Sequence, residues 1–285
     1  MCKKDFMNKV LIIGASGFLG GSLYEFFVSH NYQVGALSRH SNKQDKKFKK
    51  HEVDVMDYEN LESVIALYDV VINCIGQVTS PIHECVILNT KGVKNIIDAV
   101  KKNRNYLVHL STVSVYGSAS TVTEESKVNP ESAYGSLKYF SEYQITQNLT
   151  NYAILRISNL YGALQVKGIL GYILRSFNKN EKTLFFDNDG SLKRYYLHVD
   201  DLSSIIKLVI DNRVKGVYNV IGSDFLTIKQ LISLSEKALD YNFDVQYETK
   251  LPFENIGKVD NSKLEEQINY YSRHTIEDYL LRIKQ

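Results

Sequence analysis

The chain of 285 residues contains no tryptophan, only three prolines and only three cysteines, which are Cys2, Cys74 and Cys85. An odd and sparse set of cysteines argues against the disulfide framework of a secreted domain and suits a reducing compartment. The first apolar run, Val10–Ile13, stops at Gly14 and is too short for a signal peptide. No apolar run approaches the ~20 residues that a membrane span requires. We therefore expect a cytoplasmic protein that does not engage membranes.

A strong excess of charge of one sign is also missing. The chain has 34 Lys and Arg residues against 32 Asp and Glu residues, for a formal net charge of +2. Such a balance provides no field that would hold nucleic acid, so we expect no nucleic-acid partner. Hydrophobic residues make up 44% of the chain and charged residues 23%, which is ordinary for a globular protein with a substantial core.

The first half of the chain alternates short apolar runs with segments of helical periodicity. In one such segment, Leu19, Leu23, Phe26 and Phe27 recur at helical spacing. Strands that alternate with helices predict an α/β fold, in which a doubly wound parallel sheet is covered by helices on both faces. The predicted strands are Val10–Ile13, Gln33–Leu37, Glu52–Val55, Val70–Cys74, Leu107–Leu110 and Ala153–Ile157.

In the second half of the chain, the alternation of predicted strands and helices is less regular. Its pattern predicts a weak strand at Lys182–Phe186, a helix at Leu202–Ile210 and a strand at Gly216–Ile221, which we expect to return to the main sheet. Thr227 followed by Gln230 is the pattern of a capping box at the start of another helix. No Pro- or Gly-rich linker separates the halves, so we expect them to pack closely.

Three glycines, Gly14, Gly17 and Gly20, follow the first predicted strand and open a helix. Glycines at such a junction let the backbone turn tightly and approach a pyrophosphate, whose charge meets the helix N-terminus. A glycine-rich turn alone can be a plain strand–helix connection, but its place at the first junction of an alternating chain favours a dinucleotide site. We therefore assign residues 1–160 to a dinucleotide-binding domain and residues 161–285 to a smaller α/β substrate-binding part.

The residues after the second predicted strand bear on the choice of cofactor. An acidic side chain there would bond the ribose hydroxyls of the adenosine and favour NAD. This chain has Ser38 and Arg39 instead. A guanidinium can bind a 2′-phosphate through two parallel hydrogen bonds and can stack on adenine, which favours NADP. The alternative is that Arg39 is an exposed loop residue and that NAD is bound.

A tyrosine and a lysine, Tyr134 and Lys138, open a segment of helical pattern four residues apart. Positions i and i+4 lie on one helix face, so the phenol and the ammonium point the same way. A nearby cation stabilises phenolate, which makes a tyrosine with a pKa of ~10 in water usable as an acid or base. Upstream, the predicted strand Leu107–Leu110 runs directly into the hydroxyl residues Ser111 and Thr112. Doubly wound folds carry their sites at this end of a parallel strand.

With these motifs in order, the chain resembles the extended short-chain dehydrogenase/reductase family, in its nucleotide-sugar epimerase/dehydratase branch. The resemblance implies a Rossmann-like fold and an NAD(P)-dependent enzyme that acts on the sugar of a nucleotide-sugar. It covers nearly the whole chain, and it is also carried by Asp54-Val55, Cys74-Ile75-Gly76, Asn89-Thr90-Lys91-Gly92, Leu155–Gly162, Arg194–Asp201 and Val259–Lys263.

The family's catalytic roles are carried over by position. Thr112 stands at the catalytic Ser/Thr position and would hydrogen-bond the reacting oxygen, while Tyr134 would donate or accept its proton. Lys138 would bond the nicotinamide ribose and depress the pKa of Tyr134. The resemblance further implies a set of cofactor contacts: Gly14, Ser16, Gly17, Phe18, Leu19, Gly20, Ser38, Arg39, Asp54, Val55, Cys74, Ile75, Gly76 and Asn89, together with Tyr134 and Lys138.

The resemblance also implies a set of substrate contacts: Thr112, Ser114, Asn159 and Arg194. Asn159 and Arg194 match contacts to the substrate diphosphate. The alternatives are a structural turn role for Asn159 and an ion pair of Arg194 with Asp200 or Asp201. We expect His198 to order its loop, and we expect no metal ligands. A nucleotide-sugar substrate and a homodimer are the expected partners.

This chain lacks the catalytic residues of two subclasses of the family. Sugar 4,6-dehydratases carry two carboxylates directly after the catalytic Thr, where this chain has Val113 and Ser114, so we expect no dehydratase activity. Bifunctional epimerase-reductases carry a cysteine at the position of Ser114, whose hydroxyl is too weak an acid to replace it.

Three functions remain. The NADP interpretation of Arg39 favours an oxidoreductase that reduces the 4-keto group of a nucleotide-linked deoxysugar. The first alternative is a nucleotide-sugar 4-epimerase with tightly bound NAD. The other alternative, from a different class, is a non-catalytic NADP-sensing protein. The presence of Thr112, Tyr134 and Lys138 argues against this last one.

Overall fold

The computed structural model describes residues 9–39, 50–76, 81–162, 165, 167–248 and 254–283, and Cys2 lies outside them. The strands in this part of the chain are β1 Lys9–Ile13, β2 Gln33–Ser38, β3 Lys50–Glu52, β4 Val70–Asn73, β5 Tyr106–Thr112, β6 Ala119–Val122, β7 Tyr152–Ile157, β8 Asn159–Tyr161, β9 Thr183–Phe186, β10 Lys193–His198, β11 Gly216–Val220, β12 Asp224–Thr227, β13 Asp244–Tyr247 and β14 Ile256–Val259.

The helices alternate with these strands. They are α1 Phe18–Ser29, α2 Tyr58–Ile65, α3 Ile82–Ile87, α4 Val93–Asn103, α5 Ala133–Asn148, α6 Gly168–Asn178, α7 Val199–Asp211, α8 Ile228–Leu239, α9 Ser262–Ile268 and α10 Ile276–Ile283. A π-helical turn, Leu88–Gly92, joins α3 to α4, and a 3₁₀ turn, Val113–Val115, follows β5. Among the described residues, no helix is both long enough and apolar enough to cross a membrane.

Seven strands form one parallel sheet in the order β11-β7-β5-β4-β1-β2-β3. Both faces of the sheet are buried, since Val10 and Ile12 point to one side and Leu11 and Ile13 to the other, all without exposed surface. Helices α1, α7 and α9 cover the first face, and α2, α4 and α5 cover the second. The predicted doubly wound α/β fold is confirmed.

The second half of the chain contributes to the main sheet and also builds its own small sheets. Strand β11 pairs in parallel with β7, and α7 packs beside α1 on the first face. The small sheets are β12-β10-β8, β13-β9 and β14-β6. Helices α6, α8 and α10 enclose a separate core with the second of these sheets.

Most of the predicted elements are present, with one displaced strand. The third strand ends at Glu52, whereas the pattern predicted Glu52–Val55, because β3 pairs with β2 over only three residues. Asp54 then accepts a bond from Met56 N, which turns the chain. The predicted capping box of Thr227 and Gln230 is confirmed at α8. The short strands β6, β8, β10 and β12 to β14 were not predicted.

Candidate active site

The glycine loop has the geometry that close approach of a ligand requires. Gly14 adopts a φ of +86°, and its N–H donates to Leu37 O at 2.9 Å, which ties the loop to β2. A Cβ atom at Gly20 would lie 2.3 Å from Gly14 O, so only glycine lets α1 pack this close to the loop. Ser16 and Gly17 are exposed, and no described side chain caps α1. Phe18 and Leu19, in the first turn, are half-buried. These glycines fit a pyrophosphate at the helix N-terminus.

The adenosine end of the predicted cofactor site carries a charged pair. Ser38 ends β2, and Arg39 follows it with an exposed side chain. The Arg39 guanidinium lies 3.5 Å from the carboxylate of Glu84, which belongs to the first turn of α3. Asp54 is exposed beyond β3, while Val55 is buried. A carboxylate therefore lies beside the cation that was predicted to bind a 2′-phosphate.

The turn after β4 passes close to the glycine loop. Cys74 N donates to Ile13 O at 3.0 Å, and Ile75 Cγ2 would lie 3.1 Å from a Cβ at Gly14. Gly76 has a φ of +92°. Burial raises the pKa of the Cys74 thiol to about 12, which agrees with a small buried hydrophobe rather than a nucleophile.

Asn89 packs behind this turn and hydrogen-bonds to its main chain. It is fully buried in the π-helical turn, and its Nδ2 donates to Gly76 O at 3.0 Å and to Cys85 O at 2.9 Å. The hydroxyl of Ser141, on α5, donates to Asn89 O at 3.0 Å. A Cβ at Gly76 would lie 2.4 Å from Asn89 Oδ1. The structure thus places Asn89 behind the turn, where it positions Gly76, and its predicted cofactor contact stays a prediction.

The predicted catalytic residues come from β5 and α5, which pack against each other. Thr112 ends β5, and its Oγ1 accepts from Ser114 N at 3.2 Å. Ser132 caps α5 through a bond from Gly135 N at 3.0 Å, so Tyr134 lies in the first turn. Lys138 follows one turn later. The three side chains thus lie at the C-terminal edge of the parallel sheet, as the sequence predicted.

Lys138 bridges the turn after β4 and the end of β5. Its Nζ donates to Ile75 O at 2.8 Å and to Leu110 O at 2.9 Å, and the side chain is buried. Burial lowers the pKa of Lys138 to about 8. Burial also raises the pKa of Tyr134, and the nearby Cys85 adds to this. Two main-chain carbonyls hold the Lys138 ammonium, and the lowering of the Tyr134 pKa by Lys138 stays a prediction.

A buried polar network lies beneath these residues. Arg156 Nη2 donates to Glu142 Oε2 at 2.7 Å, and Ser111 Oγ donates to the same carboxylate. Arg156 Nη1 donates to the Tyr116 hydroxyl at 2.9 Å, which in turn donates to Asn219 Oδ1 at 2.7 Å. The network therefore links α5, β5, β7 and β11. Sequence reasoning missed it, although an arginine inside the apolar run of β7 is a signal that a buried partner must exist.

The predicted substrate contacts lie on the small sheets. Asn159 begins β8 and is exposed, and it is in register with Tyr196 of β10. Arg194, on β10, donates through Nη2 to the main-chain oxygen of Glu254 at 2.7 Å. The carboxylate of Glu254 lies beside the hydroxyl of Ser114; burial raises the pKa of this carboxyl, and Ser114 and Arg194 oppose that effect. Sequence reasoning did not find Glu254.

Arg194 does not form the alternative ion pair with Asp201. That carboxylate is fully buried and accepts from the Tyr270 hydroxyl at 2.7 Å and from His274 N at 3.0 Å. His198 Nδ1 accepts from Asp200 N at 3.2 Å and caps α7, which confirms that it orders its loop. His198, Asp200 and His274 lie close enough to share an ion, but the two imidazoles stack at 18°, so their lone pairs do not converge on one point.

Comparisons with known proteins agree with this arrangement. A family model described as the NAD dependent epimerase/dehydratase family matches residues 10–221. The chain is similar to a Methanocaldococcus jannaschii protein provisionally named as a UDP-glucose 4-epimerase, with 26% identity over 84% of this chain and 85% of that one. It is also similar to the methionine adenosyltransferase 2 subunit beta of Rattus norvegicus, with 25% identity over 77% of this chain and 69% of that one.

A solved structure shares the fold across almost the whole chain. The UDP-glucuronic acid 4-epimerase from Bacillus cereus, in complex with UDP-glucuronic acid and NAD, superimposes with a TM-score of 0.85 at 21% identity. The match covers 95% of this chain and 96% of that one.

Proposed function

The chain belongs to the NAD-dependent epimerase/dehydratase family and is an enzyme of the extended short-chain dehydrogenase/reductase type, and on this premise we propose that it is a nucleotide-sugar 4-epimerase that retains NAD. The observation that carries the proposal is the placement of Thr112, Tyr134 and Lys138 at the sheet edge beside the glycine loop. Val113 and Ser114 stand where dehydratases carry carboxylates. This arrangement supports proton transfer by Tyr134 at the C4 oxygen, and the Arg39–Glu84 pair favours the epimerase with NAD over an NADP-dependent reductase.

The residues fit a dinucleotide along the edge of the sheet. Gly14 and Gly20 let the loop pack closely against the turn after β4 and against α1, and α1 presents its uncapped N-terminus to the place proposed for the pyrophosphate. The turn at Cys74, Ile75 and Gly76 would border the nicotinamide half. The chemistry that NAD supplies in this position is reversible hydride transfer at C4 of the sugar.

Each catalytic side chain has a distinct task in this scheme. Thr112 would hydrogen-bond the C4 oxygen and hold it against Tyr134. Tyr134 would take the hydroxyl proton as the 4-ketone forms and return it to the other epimer. Lys138 would bond the nicotinamide ribose with its ammonium, which the carbonyls of Ile75 and Leu110 already orient. Arg194 and Asn159 would bind the diphosphate.

The pairing of Arg39 with Glu84 supports NAD rather than NADP. A 2′-phosphate bound at Arg39 would also meet the carboxylate of Glu84, whose charge opposes it. A free guanidinium would favour the phosphate, so this pair removes much of the basis for the NADP interpretation.

A 4-ketoreductase is the second candidate, and the position of Arg39 after β2 is what favours it. Thr112, Tyr134 and Lys138 would serve reduction equally well, with Tyr134 as the proton donor. A purely binding role is less well supported because these three residues are all in place.

We also propose a homodimer. Apolar side chains stand exposed on two neighbouring helices: Ile82, Val86 and Ile87 on α3, and Tyr139, Phe140 and Tyr143 on α5. Adjacent apolar side chains of this size are typical of an interaction surface.

The test is turnover without added cofactor. The purified chain is incubated with UDP-, dTDP- and GDP-hexoses, and the anomeric proton signals of the products are followed by NMR. The 4-epimerase proposal expects interconversion of C4 epimers with no nicotinamide supplied, because the cofactor arrives bound. Tyr134→Phe serves as the matched control, since it removes the phenol proton and keeps the ring.

Two outcomes would contradict the proposal. Oxidation of one NADPH for each 4-keto-sugar nucleotide, without epimer exchange, would establish the reductase. Binding of NAD without any turnover, together with failure to bind every nucleotide-sugar, would indicate the non-catalytic class.

A further inference from the structure

Glu254 is fixed next to the catalytic strand by the two-stranded sheet β14-β6. It lies just before β14, which runs parallel to β6, and β6 begins shortly after the catalytic segment Thr112–Gly117. Asn255 N donates to Ser118 Oγ at 3.0 Å, and Ala119 N donates to Asn255 O at 3.2 Å. These bonds fix the position of Glu254 although it is distant from Ser114 in the sequence.

The Glu254 carboxylate lies beside Ser114, on the side of the site where the proposed function puts the sugar. Its partner Ser114 is two residues from Thr112 and lies against the turn of α5 that carries Tyr134, because a Cβ at Gly135 would lie 2.7 Å from Ser114 O. Arg194 donates to the main-chain oxygen of Glu254 at 2.7 Å and to that of Lys193 at 2.9 Å, and among the described residues no direct bond joins it to the Glu254 carboxylate. The carboxylate is thus half-buried and not engaged by that guanidinium in a direct bond.

Two chemical preferences follow from this arrangement. The guanidinium of Arg194 suits the diphosphate of a nucleotide-sugar. An ionised carboxylate only accepts hydrogen bonds, so Glu254 suits the hydroxyl groups of a sugar. The same carboxylate opposes any second anion nearby, and Glu131 adds its own negative charge to this region.

We propose that Glu254, supported by Ser114, is a specificity-determining residue that selects a neutral, hydroxyl-bearing sugar and disfavours a uronic acid. This inference rests on the proposed function, because it assumes that a nucleotide-sugar binds beside Thr112 and Tyr134. It separates the chain from the Bacillus cereus neighbour, whose structure holds UDP-glucuronic acid. At an effective dielectric constant of about 20 and a charge separation of about 10 Å, the repulsion corresponds to a loss of roughly tenfold in affinity.

The experiment compares matched neutral and anionic ligands. The dissociation constants of UDP-glucose and UDP-glucuronate, and of GDP-mannose and GDP-mannuronate, are measured by calorimetry for the wild type and for Glu254→Gln. The substitution removes the charge but keeps the main-chain oxygen that Arg194 uses. Glu125→Gln is the control, because it removes the same charge from a side chain that is 87% exposed.

We expect the wild type to bind the neutral sugar of its preferred nucleotide about tenfold more tightly than the uronate. In Glu254→Gln this ratio should fall to near one, mainly through tighter uronate binding, while Glu125→Gln keeps the wild-type ratio. Equal weakening of both ligands in Glu254→Gln would overturn the inference and leave a purely structural role. Wild-type preference for the uronate would also overturn it.

A further outcome concerns proton transfer. Solvent deuterium that enters C3 or C5 of the sugar in the wild type but not in Glu254→Gln would overturn the recognition role, because Glu254 would then act as an acid or base. Failure of every nucleotide-sugar to bind contradicts the proposed function itself, whereas C4 epimerisation of both sugar classes with equal affinities contradicts only the charge selection.

Discussion

The centre of the site and its two ends are built in different ways. At the centre, Lys138 is buried and bonded to two main-chain oxygens, and Glu142 and Arg156 form an ion pair behind it with 3% and 6% of their side chains exposed. At the ends, the contacts are single and partly solvated: Arg39 with Glu84, and Arg194 with Glu254. The difference suggests that the chemistry depends on the buried centre and that the choice of cofactor and sugar depends on the ends.

The largest expected effect is at the centre. Tyr134→Phe should lower kcat by about 10²–10⁴-fold, because it removes the group that moves the proton at the C4 oxygen. NAD binding should change little, since the ring is kept. Rapid-quench turnover and a fluorescence titration with NADH measure the two quantities. Near-normal turnover would show that Tyr134 is not the acid or base, and a parallel loss of NADH binding would mean that the centre and the cofactor end are not separable.

The second prediction concerns what holds the centre in place. Glu142→Gln leaves the Arg156 charge buried and unpaired, and it should lower the free energy of unfolding by about 3–5 kcal/mol. Urea unfolding with NAD absent measures this loss. The double substitution of Glu142 and Arg156 by Met should recover most of the stability, since no buried charge remains. A loss of under ~1 kcal/mol in the single variant would show that the network contributes little to stability.

The smallest expected effect lies at the adenosine end. Glu84→Gln frees Arg39 from its carboxylate, so the affinity for NADPH should rise about fivefold relative to NADH, as for an exposed pair of about 1 kcal/mol. Arg39→Ala should shift the ratio the other way. The control is Asp98→Asn, which breaks the exposed Lys94–Asp98 pair on α4. An unchanged NADPH to NADH ratio in Glu84→Gln would show that this pair does not set the cofactor choice.

The centre could be predicted from the sequence because its signals are local. In the sequence, buried parallel strands are continuous apolar runs. The glycine loop spans seven residues, and the Tyr134–Lys138 motif spans five. The end of β3 was misplaced because a strand of three residues has no periodicity to read. Strands such as β8 and β12 share this problem, since the first spans three residues and the second is half-buried throughout.

The ends could not be predicted because their partners are distant in sequence. Nothing near Ser114 in the sequence indicates that Glu254 will lie beside it, and nothing near Arg39 indicates that Glu84 will lie 3.5 Å away. The surroundings of Lys138 could not be predicted for a related reason. Spacing on a helix places the ammonium of Lys138 nearby, but it does not show that the carbonyls of Ile75 and Leu110 hold that ammonium.

The position of β11 has a consequence for the way the chain folds during synthesis. When the ribosome has completed β7, the apolar strand Tyr152–Ile157 still has an open edge, and the face of α1 that carries Leu23 and Phe27 lacks its cover. The edge of β7 is covered when β11 forms, and the face of α1 is covered when α7 forms; the later of these two elements, β11, ends at Val220. The nascent cofactor-binding half must therefore stay out of contact with other strand edges while roughly sixty more residues emerge, at about 5–20 residues per second. For several seconds of each round of translation, the half that carries the nucleotide loop is the half most exposed to aggregation.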